Sequence, residues 1–123
     1  MNERDVVSWT ALIVAYTSHG LMDEAIDAFS RMESDGINAD LIAWNALVSG
    51  FARNGEIDLA LRSLEEMQEI GLRPKVNTWN GIISGCIQNE HYQDALDAFL
   101  KIFWTSLVPN VVTFVSILPA VLV

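Results

Sequence analysis

The chain has 123 residues, of which 51% are hydrophobic and 19% charged, and its 16 acidic and 7 basic side chains give a formal net charge of -9. This apolar composition excludes a disordered chain, and a single cysteine excludes an intramolecular disulfide framework. The acidity argues against a protein that binds nucleic acid through bulk positive charge.

In chain order, the first predicted element is a pair of helices. The apolar residues of the first helix recur at i, i+3, i+4 and i+7, which is the spacing of one helical face. These residues are Trp9, Leu12, Ile13 and Tyr16. Gly20 is expected to end this helix, and a second apolar stripe from Met22 to Met32 predicts the second helix, which Gly36 ends.

The same pair of helices then recurs along the chain at a period of 35 residues, so that Trp44, Trp79 and Phe114 lie at the position of Trp9. After a lead-in at 1–5, three full repeats span 6–40, 41–75 and 76–110, and a partial repeat at 111–123 supplies a first helix only. Neither helix of a pair can bury its apolar stripe alone, so the repeats must stack. The sequence therefore predicts an all-α fold, an α-solenoid of helix-turn-helix repeats.

The repeated segments VVSWTALIVAY, LIAWNALVSGF and VNTWNGIISGC, with the repeat ends GINAD, GLRPK and SLVPN, closely resemble the pentatricopeptide repeat family. The tetratricopeptide repeat fits less well, because its period is 34 and it has Leu-Gly where this chain has Leu12-Ile13. Within the family, the segments DVVSWTALI and VPNVVTFVSIL resemble the plant PLS-type subclass, in which repeats of slightly different kinds alternate.

The resemblance implies a protein that binds single-stranded RNA, with one base read per repeat by two or three side chains. It also implies a mitochondrial or chloroplast location and a role in organellar RNA processing or editing. Other organellar RNA-processing or editing proteins are then further candidate partners.

The residues give no support for catalysis. The chain has no Ser-His-Asp arrangement, no glycine loop for phosphate and no paired-cysteine metal motif, so we expect no enzyme activity, catalytic residue, metal or cofactor, and no small-molecule substrate. The most apolar stretch, 111–123, is too short to cross a bilayer, and we expect no membrane partner.

The resemblance also implies roles for individual residues. Base selection is implied for the fifth residue of each first helix and the last residue of each repeat, namely Thr10 with Asp40, Asn45 with Lys75, and Asn80 with Asn110. By the family's code the first pair suggests guanine and the third a pyrimidine, whereas Lys75 leaves the base of the second repeat undetermined. Val7, Ile42 and Val112 are implied to sandwich the bases, and Arg53 to contact phosphate.

Two other interpretations stay open. The acidity favours a protein-interaction scaffold whose polar surface binds a peptide or a partner repeat. The chain is alternatively a truncated fragment without activity of its own, because three repeats make few base contacts and the apolar segment 111–123 lacks a covering helix. Thr and Asn near a helix start are also often caps, and the 35-residue recurrence favours a reading role more for Asn45 and Asn80 than for Thr10.

Overall fold

The structure is a computed structural model that describes residues 5–105 and 107–122, and within them it contains seven α-helices and no β-strand. The helices are α1 (Val6–Ser18), α2 (Met22–Ser34), α3 (Leu41–Arg53), α4 (Ile57–Glu69), α5 (Val76–Gln88), α6 (Tyr92–Trp104) and α7 (Val111–Leu122). The predicted all-α helical-repeat solenoid is confirmed. The repeat boundaries stay a prediction, and residues 1–4 of the lead-in, Ser106 of the third repeat and Val123 of the partial repeat lie outside the described residues.

The helices form two layers. Each of α1, α3 and α5 packs on the next odd-numbered helix and on the even-numbered helix that follows it, and α7 packs on α5 and α6. Among the described residues, no two even-numbered helices approach within 8 Å between Cα atoms. The odd-numbered helices therefore form a continuous inner layer, and the even-numbered helices stand apart on the outside.

Side-chain caps begin α1 and α3, and residues with a positive φ follow the C-terminal ends of several helices. Asp5 and Asp40 cap α1 and α3, since each carboxylate accepts a backbone N–H at 2.9 Å. Such a cap satisfies an amide that has no partner within the helix. At the C-terminal ends, Gly20 and Gly55 adopt φ of 73° and 80°, and in the third repeat Glu90 takes φ of 62° at the same place.

The core follows the predicted stripes. Trp9, Trp44 and Trp79 are buried, at 4%, 4% and 2% exposure, and the alanines that recur in the second helices are fully buried. These alanines are Ala25, Ala60 and Ala95. Phe114 occupies the tryptophan position on α7 but is 50% exposed, because the helices that contact α7 within the described residues are α5 and α6 alone.

Close approach of α3 and α5 requires a glycine. A Cβ added at Gly85 would overlap the backbone carbon and the Cβ of Ala52, atoms that cannot move without shifting the helix. A Cβ at Gly81 would instead overlap the Oγ of Ser49, which a change of rotamer can remove. The two helices are therefore in backbone contact at Gly85.

We expect Gly85→Ala to lower the free energy of unfolding by about 1–3 kcal/mol, because overpacking at a backbone contact outweighs the helix propensity gained. Gly81→Ala is the matched control and should stay within about 1 kcal/mol of the parent chain. Urea unfolding followed by circular dichroism measures both. Equal effects of the two substitutions would contradict the backbone contact.

We expect Glu90→Gly to raise the free energy of unfolding by about 1 kcal/mol, because glycine removes the left-handed penalty of a side chain at this φ. Glu90→Ala removes the same charge but keeps the Cβ, and it should give no such gain. Thermal and urea unfolding of the parent chain, Glu90→Gly and Glu90→Ala give the three free energies of unfolding to compare.

Candidate nucleic-acid interface

The inner layer places two of the three predicted base-selecting pairs in direct contact. The Oγ1 of Thr10, on α1, donates to Oδ1 of Asp40 at 3.2 Å. The Nδ2 of Asn80, on α5, donates to Oδ1 of Asn110 at 3.2 Å. Thr10 and Asn80 are 7% and 6% exposed, so each presents only the edge of its side chain to solvent.

The second pair is not joined in this way. Asn45 and Lys75 form no hydrogen bond with each other in the described residues; instead, Oγ1 of Thr78 donates to Oδ1 of Asn45 at 2.6 Å. The backbone N–H of Lys75 donates to the same threonine oxygen at 3.1 Å. Lys75 stands at the N-cap of α5 but has no acceptor, so it cannot cap the helix as Asp40 and Asn110 cap α3 and α7.

Two threonines that the sequence analysis missed support the asparagines. Thr78 contacts Asn45, and Thr113 contacts Asn80, where Oγ1 donates to Oδ1 at 2.5 Å. Both are fully buried third residues of a first helix. The signal available in the sequence was the recurrence of Thr after 35 residues, and Ala43 at the first junction breaks it.

The residues predicted to sandwich bases lie on the surface. Val7, Ile42 and Val112, each the second residue of its helix, are 68%, 60% and 56% exposed. Each lies three residues before the fifth position of its helix and so close to the same face. Asn77, at this position in the third repeat, is also exposed but offers no apolar surface.

Arg53, the predicted phosphate contact, is exposed at the C-terminal end of α3. Its Nη2 donates to the backbone oxygen of Thr17 at 3.3 Å, which joins α3 to the end of α1. At the next junction Asn89, which the sequence analysis also missed, has its Nδ2 donating to the backbone oxygens of Arg53 at 2.7 Å and Ala52 at 3.1 Å. Polar links thus join the C-terminal ends of successive odd-numbered helices.

The two layers differ in charge. No Asp or Glu occurs within α1, α3, α5 or α7, whereas α2 and α4 each carry four. Beside the inner layer, the loop between α4 and α5 brings Arg73 and Lys75 to the wall of an open cleft of about 980 Å³. Ten of the sixteen acidic residues therefore lie on the outer helices α2, α4 and α6.

The single cysteine, Cys86, is buried in the core. Burial, followed by the nearby carboxylate of Asp94, raises the pKa of the Cys86 thiol to about 11. The thiol is thus protonated at neutral pH and is a poor nucleophile. Among the described residues, no cluster of three or more His, Cys, Asp or Glu could hold a metal ion. No helix in this part of the chain has the length and apolar character needed to span a membrane.

Comparison with known families gives matches along most of the chain. The family model of the pentatricopeptide repeat domain matches residues 27–89 and 64–122, and the model of the PPR repeat matches 7–37. These matches together cover both helices of each predicted full repeat and the helix of the partial one.

Curated relatives from Arabidopsis thaliana match over one repeat length. A mitochondrial pentatricopeptide repeat-containing protein is 51% identical over 37 residues, which are 30% of this chain and 5% of the relative. The chloroplastic protein DOT4 is 45% identical over 40 residues, or 32% of this chain and 5% of DOT4. The matched segments make up between 4% and 6% of the lengths of the relatives.

A solved structure shares the fold. Maize PPR10, determined in complex with an 18-nucleotide psaJ RNA element, superposes with a TM-score of 0.86 at 22% sequence identity. The superposition covers 94% of this chain and 17% of PPR10.

We expect Lys75→Asn to raise the free energy of unfolding by about 1 kcal/mol, because an amide oxygen at this N-cap accepts a backbone N–H of α5. Arg73→Asn, two residues earlier in the same loop, removes the same charge without providing a cap. Urea unfolding should separate the two variants. Equal stabilisation by both would show that relief of charge, rather than capping, is responsible.

Proposed function

This chain belongs to the pentatricopeptide repeat family, and we propose that it binds single-stranded RNA, one base per repeat, as a segment of a longer array. In this proposal the array belongs to the PLS-type subclass and acts in RNA processing or editing in a mitochondrion or chloroplast. Its partners are then RNA and other organellar RNA-processing or editing proteins. The chemistry of processing lies outside these repeats.

One observation carries the proposal. Thr10, Asn45 and Asn80 lie at the same position of three adjacent odd-numbered helices, in a layer whose helices contain no carboxylate. Each is a short polar side chain that can bond a Watson–Crick edge. Exposed Val7 and Ile42 flank this row and offer apolar surface on which a base can stack.

The net charge of -9 agrees with this proposal because of where the acids lie. Phosphate repulsion from α2 and α4 acts from the outer layer and is screened over a Debye length of about 10 Å in 0.1 M salt. The inner layer carries Arg53 and Lys75, and the carboxylates of Asp5 and Asp40 at its helix starts each accept a backbone N–H. The acidity therefore weakens affinity for the backbone while leaving base recognition possible.

A protein-interaction scaffold is the second candidate, and exposed apolar side chains on α6 and α7 favour it. Trp104 is 85% exposed and Phe103 is 54% exposed, and α7 has no charged residue. Contiguous exposed apolar surface is one mark of a protein–protein contact. In the scaffold hypothesis these side chains, rather than the polar row, carry the binding.

We expect the chain to bind a G-containing single-stranded RNA at low salt, with affinity that falls as salt rises. Asn80→Ala should weaken binding roughly tenfold, the loss expected for one base contact. Gln93→Ala, on the outer face of α6, is the matched control and should leave affinity unchanged. Fluorescence anisotropy measures binding, and circular dichroism confirms that each variant is folded.

RNA affinity should be the same in the presence of an added peptide and of the same peptide in scrambled order. If no RNA binds at low salt, even when the segment is placed within a longer array, the proposal fails. If Asn80→Ala leaves RNA affinity unchanged and substitution of Trp104 abolishes binding of a partner peptide, the scaffold is favoured instead.

A further inference from the structure

The middle repeat differs from its neighbours in the hydrogen-bonding capacity of its polar pair. In the first and third repeats, the last residue is Asp40 or Asn110, which brings an acceptor oxygen to the fifth residue. In the second repeat that place is taken by Lys75, whose ammonium group has three donors and no acceptor. The second repeat therefore lacks an acceptor at its terminal position.

The amide of Asn45 is held in one orientation. Oγ1 of Thr78 accepts the backbone N–H of Lys75 at 3.1 Å, which leaves its hydroxyl hydrogen to donate to Oδ1 of Asn45 at 2.6 Å. One lone pair of the Asn45 oxygen is thereby used, and this contact fixes which side of the amide faces Thr78. The Nδ2 of Asn45 has no hydrogen-bond acceptor among the described residues, and both of its hydrogens stay available.

The third repeat shows the contrast. There the backbone N–H of Thr113 donates to Oδ1 of Asn110 at 3.0 Å, and that same oxygen accepts from Nδ2 of Asn80 at 3.2 Å. One donor of Asn80 is therefore used within the protein. Asn45 has no such internal acceptor, so it offers more donors to a ligand than Asn80 does.

From these contacts we propose that the second repeat selects cytosine. Among the described residues, the two groups of this pair that have no partner are Nδ2 of Asn45 and Nζ of Lys75, and both can only donate. Cytosine is the RNA base whose Watson–Crick edge has two adjacent acceptors, N3 and O2; in uracil, guanine and adenine, the neighbour of an acceptor on that edge is a donor or a C–H group. Thr78 acts as a positioning residue that keeps the amide nitrogen available.

This inference rests on the proposed RNA binding, and it differs from a simpler use of Lys75. A lysine can act as a point charge on phosphate, which adds affinity for every sequence alike. Arg73, two residues earlier, lines the same cleft and supplies the matched charge. Base preference therefore separates the two roles of Lys75.

The test compares oligocytidine with oligouridine of equal length, because homopolymers remove any dependence on register or strand polarity. With the full chain at neutral pH and low salt, we expect oligocytidine to bind about tenfold more tightly, the discrimination typical of two well-placed hydrogen bonds. Lys75→Met should abolish most of this preference, and Lys75→Arg should retain it. Arg73→Met should weaken both oligonucleotides alike and leave the ratio unchanged.

Side-chain amide NMR gives a second readout that a purely structural role would not move. The Nδ2 resonances of Asn45 should shift on addition of oligocytidine to the parent chain, and shift less in Lys75→Met. If both oligonucleotides bind the parent chain equally, or if Lys75→Met and Arg73→Met lower both affinities alike, the cytosine assignment is overturned while RNA binding stands. If neither these oligonucleotides nor a G-containing RNA binds, the proposed function itself fails.

Discussion

The arrangement of the polar row depends on how closely successive odd-numbered helices pack. At Gly85 the backbone of α5 reaches that of α3, and this approach lets Thr78 hydrogen-bond to Asn45 across the junction. Among the described residues the even-numbered helices do not contact one another, so equivalent residues of neighbouring repeats lie side by side in the inner layer. A layer held by backbone contact spaces its polar side chains regularly without needing salt bridges.

The sequence predicted what depends on periodicity. A 35-residue spacing of Trp9, Trp44 and Trp79 identified the helix pairs and the buried indoles, because a solenoid core needs the same side chain at the same place in each repeat. The roles assigned to the predicted reading residues stay predictions, although the structure brings Thr10 to Asp40 and Asn80 to Asn110.

Contacts that depend on how one helix packs against the next could not be predicted from the periodicity. Asn45 and Thr78 are 33 residues apart, and their hydrogen bond exists because one helix lies against the next at a particular rotation. Asn89 likewise links two repeats through backbone oxygens, which carry no sequence signal. Glu90 adopts a positive φ at the place that Gly20 and Gly55 hold in the first two repeats, so a search for glycine alone overlooks that helix end.

The N-cap at each repeat junction has a consequence for changing what a repeat recognises. Oδ1 of Asp40 accepts from Thr10 and also from the backbone N–H of Ala43, so one oxygen serves the polar pair of one repeat and the start of the next helix. If this pair reads a base as proposed, replacing Asp40 changes base selection and the N-cap of α3 together. Repeats of this kind are therefore not independent modules to be exchanged freely, because retargeting one of them perturbs the thermodynamic stability of its neighbour.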